Sequence, residues 1–350
     1  MNFHGGNIYE YDNNIIDFSS NINPLGVSEK LKNAIIERID EVSIYPDINY
    51  NKLKNNISKY MNVDKSMITV GNGAVDIIYR AVENLPMNNV VIMAPTFSEY
   101  RKAAELSGKR FFEIPSFNFE KNIFDMSFFD SKIHSNSIII ICNPNNPTGV
   151  AIDKQSLTNF LNNIKNKSCF VIIDEAFMEF TCNENKFSMV DMCNEFENLI
   201  VIRAVTKFFG LPGIRLGYGI SSNKIFNEAM ENSSKPWDIN TFAVIASDVI
   251  FNDYEYIEKS KKWIKEETEF MYENISKIKG FLPYKTNCNF ILVKSDKNSE
   301  YIEKALLKYN ILIRIPKGFT GLSKNFIRVA IKDRESNIKL INALRSEFCE

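Results

Sequence analysis

The sequence predicts an α/β protein, with a large domain built on a doubly wound, mostly parallel sheet and a smaller α+β domain. Three observations predict it. Between about residues 65 and 221, short apolar runs alternate with helical or polar segments, the rhythm of strands joined by helical crossovers. Within runs such as 138–141 and 170–173, valine, isoleucine and phenylalanine follow one another without polar alternation, so both faces of each strand should be covered. Beyond residue 236 the rhythm changes to one long helical stretch, then three strand-like segments interleaved with two helices.

The first 45 residues are rich in Asn, Gly and Pro and hold one amphipathic helix near 28–40. They read as an N-terminal arm (1–45) that packs on the small domain or on a neighbouring subunit. The large domain (46–236) is expected to carry strands near 67–71, 89–94, 110–115, 137–142, 169–174, 199–204 and 215–221. The small domain (237–350) opens with helix over about 240–278, broken near Asp253, and continues with strands at 289–293, 311–315 and 326–331.

Bulk composition narrows the function class. The chain has 350 residues, 45% hydrophobic and 24% charged, with a formal net charge of −1. That balance gives no electrostatic footprint for nucleic acid or an anionic membrane. No apolar run approaches the roughly 18 residues that span a bilayer, and residues 1–7 lack the regions of a signal peptide. The six cysteines show no metal-binding spacing and read as reduced, several of them in or beside apolar strands. A cytoplasmic protein is expected.

The chemistry gathers where strands end, the place where open α/β sheets bind ligands. Asp174 closes the run 170–173, and Thr206-Lys207 closes the run 199–205. Arg215 follows eight residues later, between glycines, and Asn143-Pro144-Asn145-Asn146-Pro147-Thr148-Gly149 follows the run 138–141. An amine can link covalently to an aldehyde, a carboxylate can keep a ring nitrogen protonated, and a guanidinium can clamp a phosphate. Those are the demands of pyridoxal 5'-phosphate (PLP). Gly71-Asn72-Gly73-Ala74 opens a helix over 75–85, whose backbone N–H groups form an anion site. Taken singly, each motif has a plainer reading: a solvated loop lysine, a helix cap, an Asn-Pro turn. The joint pattern carries the inference.

These segments resemble the fold-type I PLP enzymes of the aspartate aminotransferase superfamily (class I/II), over nearly the whole chain. The resemblance implies that Lys207 links to PLP and moves protons at the reacting carbon, and that Asp174 pairs with the pyridine nitrogen. It places Asn146 on the phenolic oxygen, with Pro147 as a candidate cis-proline, and Phe97 stacked on the ring. It assigns the phosphate to Gly73, Ala74, Thr206, Arg215 and Tyr45, the last reaching across from a partner subunit in a homodimer. Glu175 is expected to support structure. Two positions depart from the common pattern: Ala204 removes a hydroxyl near the phosphate, and Phe177 stands where most relatives carry a tyrosine.

Arg328 matches the arginine that grips the substrate α-carboxylate, and Arg314 is a second charge in an apolar strand. A solvated strand face is the alternative for both. Within the superfamily the chain resembles the histidinol-phosphate aminotransferase branch. His4-Gly5-Gly6-Asn7, the segment 17–26 and Tyr45-Pro46-Asp47 resemble the L-threonine-O-3-phosphate decarboxylases, as does Phe177. That resemblance implies a small phosphorylated amino acid as substrate, held by His4, Asn7, Asn23, Arg314 and Arg328. It also implies decarboxylation to (R)-1-amino-2-propanol O-2-phosphate for cobalamin biosynthesis. An aminotransferase acting on histidinol phosphate with 2-oxoglutarate is the alternative.

Overall fold

The computed structural model describes residues 5–11 and 14–348. A seven-stranded sheet runs in the order Arg110–Pro115, Asn89–Ala94, Ser137–Cys142, Phe170–Asp174, Leu199–Ala204, Gly217–Ile220, Ile68–Gly71. Only Gly217–Ile220 is antiparallel to its neighbours. The uniform apolar runs are covered on both faces. Ile139 and Ile141 enter one core and Ile138, Ile140 and Cys142 the other, all four isoleucines fully buried. Burial of each contributes about 1.5–3 kcal/mol.

Two features of this topology position the site. The chain leaves Ala94 toward the edge strand Arg110–Pro115, whereas it leaves Cys142 in the opposite direction, toward Phe170–Asp174. Their adjacent carboxyl ends therefore open a crevice. The antiparallel strand then starts where its neighbours end, with Gly217 opposite both Gly71 and Ala204. Arg215, just before it, thereby arrives at the same end as Gly73 and Lys207.

The small sheet differs from the expected one. Its strands are Phe281–Pro283, Phe290–Ser295 and Phe326–Ala330, all antiparallel. The expected 311–315 strand is shorter and leaves that sheet: Ile311–Leu312 pairs in parallel with Ile16–Asp17. Beyond it, Arg314 returns to face Arg328 through a single bridge, with N–H···O distances of 3.1 and 2.8 Å. Phe281–Pro283 had no strand signal of its own because a three-residue strand holding a proline is too short to show periodicity. The segment 16–18 thus lies on the small-sheet region, with Phe18 accepting from the Ala330 N–H at 2.9 Å.

The amphipathic helix of the arm spans Glu29–Glu37, capped by the Ser28 side chain. The long helical stretch breaks as expected, into Thr241–Val249 and Tyr254–Ser276 around Asp253. Among the described residues, no helix is long and apolar enough to cross a membrane.

Candidate active site

A cavity of about 280 Å³ opens at the carboxyl ends of the strands, between the large sheet and the small-sheet region. Lys207, Asp174, Asn146, Phe97, Ala74, Thr206, Arg215, Arg314 and Arg328 all line it. Gly73 sits directly behind Arg215: a Cβ on it would lie 2.5 Å from Arg215 Nη2. With φ +89° and ψ 162°, Gly73 also occupies a conformation open essentially to glycine alone. This close approach brings the guanidinium to the N-terminus of helix Ala74–Asn84, where unpaired N–H groups and the helix dipole favour an anion. Arg215 itself donates only to the carbonyls of Pro212 and Asn72, at 3.3 and 3.4 Å. Among the described residues no carboxylate pairs with it.

Asp174 ends its strand in full burial. Tyr100 Oη donates to Asp174 Oδ2 at 2.7 Å, and the Ala176 N–H donates to Oδ1 at 3.0 Å. Burial pushes the carboxyl pKa up, and those two donors and nearby Lys207 pull against it. Burial also lowers the Lys207 amine, helped by the charges of Arg328 and Arg215, to about 8. The segment that carries this lysine is clamped by Asn23, whose N–H donates to the Lys207 carbonyl at 3.1 Å. The Asn23 side chain donates at 2.8 Å to both Phe208 O and Ser260 Oγ.

Arg328 is the most constrained cation. It donates to Asn146 Oδ1 and, at 2.7 Å, to the Ser19 carbonyl, while its buried Nε lacks a hydrogen-bond partner. Burial and the charge of Arg314 push its pKa down to about 9. Arg314 donates to Lys317 O at 2.9 Å and packs 5.3 Å from the Phe319 ring. Burial lowers it to about 10. Among the described residues, three arginines and a lysine therefore line one cavity with a single carboxylate, Asp174.

Several sequence-derived assignments end elsewhere. Asn23 does not line the cavity, and its amide is used on Phe208 O, Ser260 Oγ and the Leu25 N–H, so it acts on the site as a strut. Asn7 is exposed and away from the lining. Tyr45 lies on the surface of its own chain, 76% exposed, with its ring 4.5 Å from that of Trp237. His4 lies outside the described residues. Glu175 turns away from the cavity into a buried cluster, accepting from Arg203 Nε and from the Met189 N–H.

The sequence reading passed over two residues. Tyr100, which holds Asp174, stands one helical turn after Phe97, and that spacing was its signal. Asn21 lines the cavity, 3% exposed, with its Oδ1 unpartnered. Asn21-Ile22-Asn23-Pro24 offered two asparagines, and only the backbone path separates the one facing the cavity from the strut.

The residues present fit PLP. A buried carboxylate stands ready for a ring nitrogen, a half-buried amine of lowered pKa for an aldehyde, and a guanidinium without a carboxylate partner, at a helix N-terminus, for a phosphate. Pro147 follows a cis peptide bond, as do Pro95 and Pro144. Phe177 lines the cavity, its ring edge-on to Phe290 at 5.2 Å.

Comparison with known proteins agrees with this geometry. Residues 13–344 match the family model for aminotransferase class I and II. A protein of Caldanaerobacter subterraneus subsp. tengcongensis, provisionally named threonine-phosphate decarboxylase, is 40% identical, with 99% of this chain and 94% of that protein covered. The histidinol-phosphate aminotransferase of Caldicellulosiruptor saccharolyticus is 33% identical over 95% of this chain and 91% of its own. The crystal structure of the histidinol-phosphate aminotransferase from Clostridium acetobutylicum superposes with a TM-score of 0.90 at 36% identity, covering 95% of this chain and 98% of that one. A lysine, an aspartate and an arginine brought together at the strand ends of such a sheet, and a family match over nearly its whole length, lead to one assignment: the chain belongs to the PLP-dependent class I and II aminotransferase family.

Proposed function

We propose that this enzyme decarboxylates L-threonine O-3-phosphate to (R)-1-amino-2-propanol O-2-phosphate, a building block for cobalamin. The observation that carries the reading is the pairing of Arg314 with Arg328. Residues directly opposite in an antiparallel bridge project to the same side, so both guanidiniums serve one cavity. Neither has a carboxylate partner among the described residues' ion pairs. A substrate bearing a carboxylate and a phosphate together would neutralise both.

Bound in the cavity, PLP would supply an electron sink for charge left on the carbon next to the substrate amine. Asp174, held by Tyr100 and the Ala176 N–H, keeps the ring nitrogen protonated. Arg328, oriented by Asn146 and Ser19, offers its free Nε and a terminal nitrogen to the α-carboxylate. Arg314 takes the phosphate, with Asn21 beside it on the cavity wall. Fixing both ends would hold the substrate in one orientation about its α-carbon. Lys207, lowered to about 8 and so protonated in large part near neutral pH, would return a proton to that carbon.

An aminotransferase acting on histidinol phosphate is the second reading, favoured by the similarity to the Clostridium acetobutylicum structure. In either case a second copy of the chain would bring Tyr45 to the phosphate. Titration of the PLP-loaded protein, followed by the cofactor's visible absorbance, tests the proposal. L-Threonine O-3-phosphate should perturb the spectrum at roughly tenfold to hundredfold lower concentration than L-threonine, the worth of one charge-assisted contact. Equal response to the two compounds would overturn it. The Lys207→Ala variant should lack the starting absorbance.

A further inference from the structure

Asp17 lies outside the cavity lining, yet its carboxylate is the most heavily used acceptor near it. Oδ1 accepts from the Ser19 N–H at 2.8 Å, from Ser19 Oγ at 2.5 Å and from the Ser20 N–H at 3.3 Å. Oδ2 accepts from Ser20 Oγ. The backbone around it is tied into the small-sheet region on both sides. Asp17 stands opposite Leu312, the Phe18 N–H donates to Leu312 O at 2.7 Å, and Phe18 O accepts from Ala330. Those partners come shortly before Arg314 and shortly after Arg328.

Two consequences follow from hydrogen-bond direction. Because the Ser19 hydroxyl gives its one proton to Asp17, the same oxygen can only accept toward anything else. It accepts the Gly6 N–H at 2.8 Å. The Ser19 carbonyl, pinned by the same turn, accepts from Arg328 Nη2 at 2.7 Å. Gly5, which lines the cavity, lies flat on that carbonyl: a Cβ on Gly5 would come 2.2 Å from Ser19 O. The arm and the arginine therefore meet at one serine, which the Asp17 carboxylate holds through its N–H and its hydroxyl.

We propose that Asp17 is a positioning residue that seats the N-terminal arm over the cavity and, through Ser19, fixes Arg328 for an anionic ligand. Its charge acts in the same direction. Asp17 lies close enough to Lys207, Arg328 and Lys332 to favour their protonated forms, and thereby holds part of the cation excess in place. Exchange to asparagine keeps the shape but removes the charge. The Oδ1 place accepts two backbone N–H groups, so the new NH2 falls at Oδ2 and turns the Ser20 bond around, while the Ser19 hydroxyl is left with a weaker, neutral acceptor.

The choice of ligand rests on the proposed decarboxylase reading, whereas the seating of the arm does not. The test therefore has two readouts on PLP-loaded Asp17→Asn and Ser19→Ala proteins. Hydrogen exchange of the segment 5–11, measured without substrate, should be slow in the unmodified protein and at least roughly tenfold faster in both variants. The KM for L-threonine O-3-phosphate should rise by about tenfold or more in Asp17→Asn, with kcat changing less than KM. Ser19→Ala, which retains the Ser19 carbonyl, should raise KM less. Thermal melting identifies global unfolding. If Asp17→Asn does not fold, Ser19→Ala carries the test through exchange. Unchanged exchange of 5–11 in the folded variants would overturn the proposal, as would a KM for Asp17→Asn within about twofold of the unmodified value. If the unmodified protein fails to act on that compound, the substrate reading falls, and exchange of the ligand-free arm still decides the role of Asp17.

Discussion

Lys207 illustrates how a residue acquires reactivity from its setting. Burial, then the charges of Arg328 and Arg215, favour the neutral amine, and Asp17 only partly offsets them. Since the neutral amine is the nucleophile, the rate at which cofactor-free protein regains visible absorbance on mixing with PLP should climb with pH. Its midpoint is expected near 8, and a midpoint near the ordinary lysine value of 10.5 would contradict this setting. The sign for stability follows. Between those two values the folded cofactor-free chain holds fewer protons on this lysine than the unfolded chain, so stability should rise with pH there. Below about 8 both states are protonated and the full penalty of the buried charge is present. Lys207 and Asp174 were legible in the sequence because each follows an apolar run directly, so the strand end fixes where the side chain emerges. Asn21 and Asn23 were not. They share one motif, and their separation into cavity wall and strut depends on a path set by Phe208, Ser260 and the small-sheet region.

At the scale of elements, the sheet's single antiparallel strand decides the proposed phosphate site. Gly217–Ile220 begins beside Gly71 and Ala204, so the loop before it delivers Arg215 to the start of helix Ala74–Asn84. Arg215 itself has φ +59°, and Gly73 supplies the space its guanidinium fills. Gly73→Ala should therefore both strain the backbone, by about 1–3 kcal/mol, and displace Arg215. The expected result is a lower melting temperature and a cofactor affinity reduced by roughly tenfold or more, the worth of a charge-assisted bond. Unchanged affinity would show that Arg215 does not hold the phosphate. The large sheet was legible because parallel strands covered on both faces need uninterrupted apolar runs. The small sheet was legible only in part. Ile311–Leu312 looks like any other apolar strand, and nothing local reveals that its partner is Ile16–Asp17, almost the whole chain away.

At the scale of the molecule, the arm couples distant parts. Residues 16–20 join the small-sheet region, Asn23 holds the Lys207 loop, and the stretch after helix Glu29–Glu37 presents apolar side chains to the outside. Ile39, Val42, Ile44 and Ile48 are 46–68% exposed, and the Tyr45 and Trp237 rings meet at 4.5 Å, tilted by 31°. An apolar face of this kind on a chain whose phosphate site is proposed to need a second Tyr45 is the expected seat of a second copy. Ile44→Asp should lower the mass measured by light scattering from that of a dimer to that of one chain and weaken PLP binding with it. An unmodified protein that already runs as a single chain, with full cofactor affinity, would contradict that assembly. Tyr45 does not line the cavity of its own chain, and only the resemblance assigns it to the phosphate of a second copy.

Both the arginine pair and the amine converge on one chemical claim, that a substrate anchored at two anionic ends loses its carboxylate. The direct measurement is CO2 release from L-threonine O-3-phosphate by the PLP-loaded protein with no oxo acid present. Sustained release, with aminopropanol phosphate as product, is the predicted result. Absence of release, together with conversion of histidinol phosphate once 2-oxoglutarate is supplied, would contradict the decarboxylase and establish an aminotransferase instead.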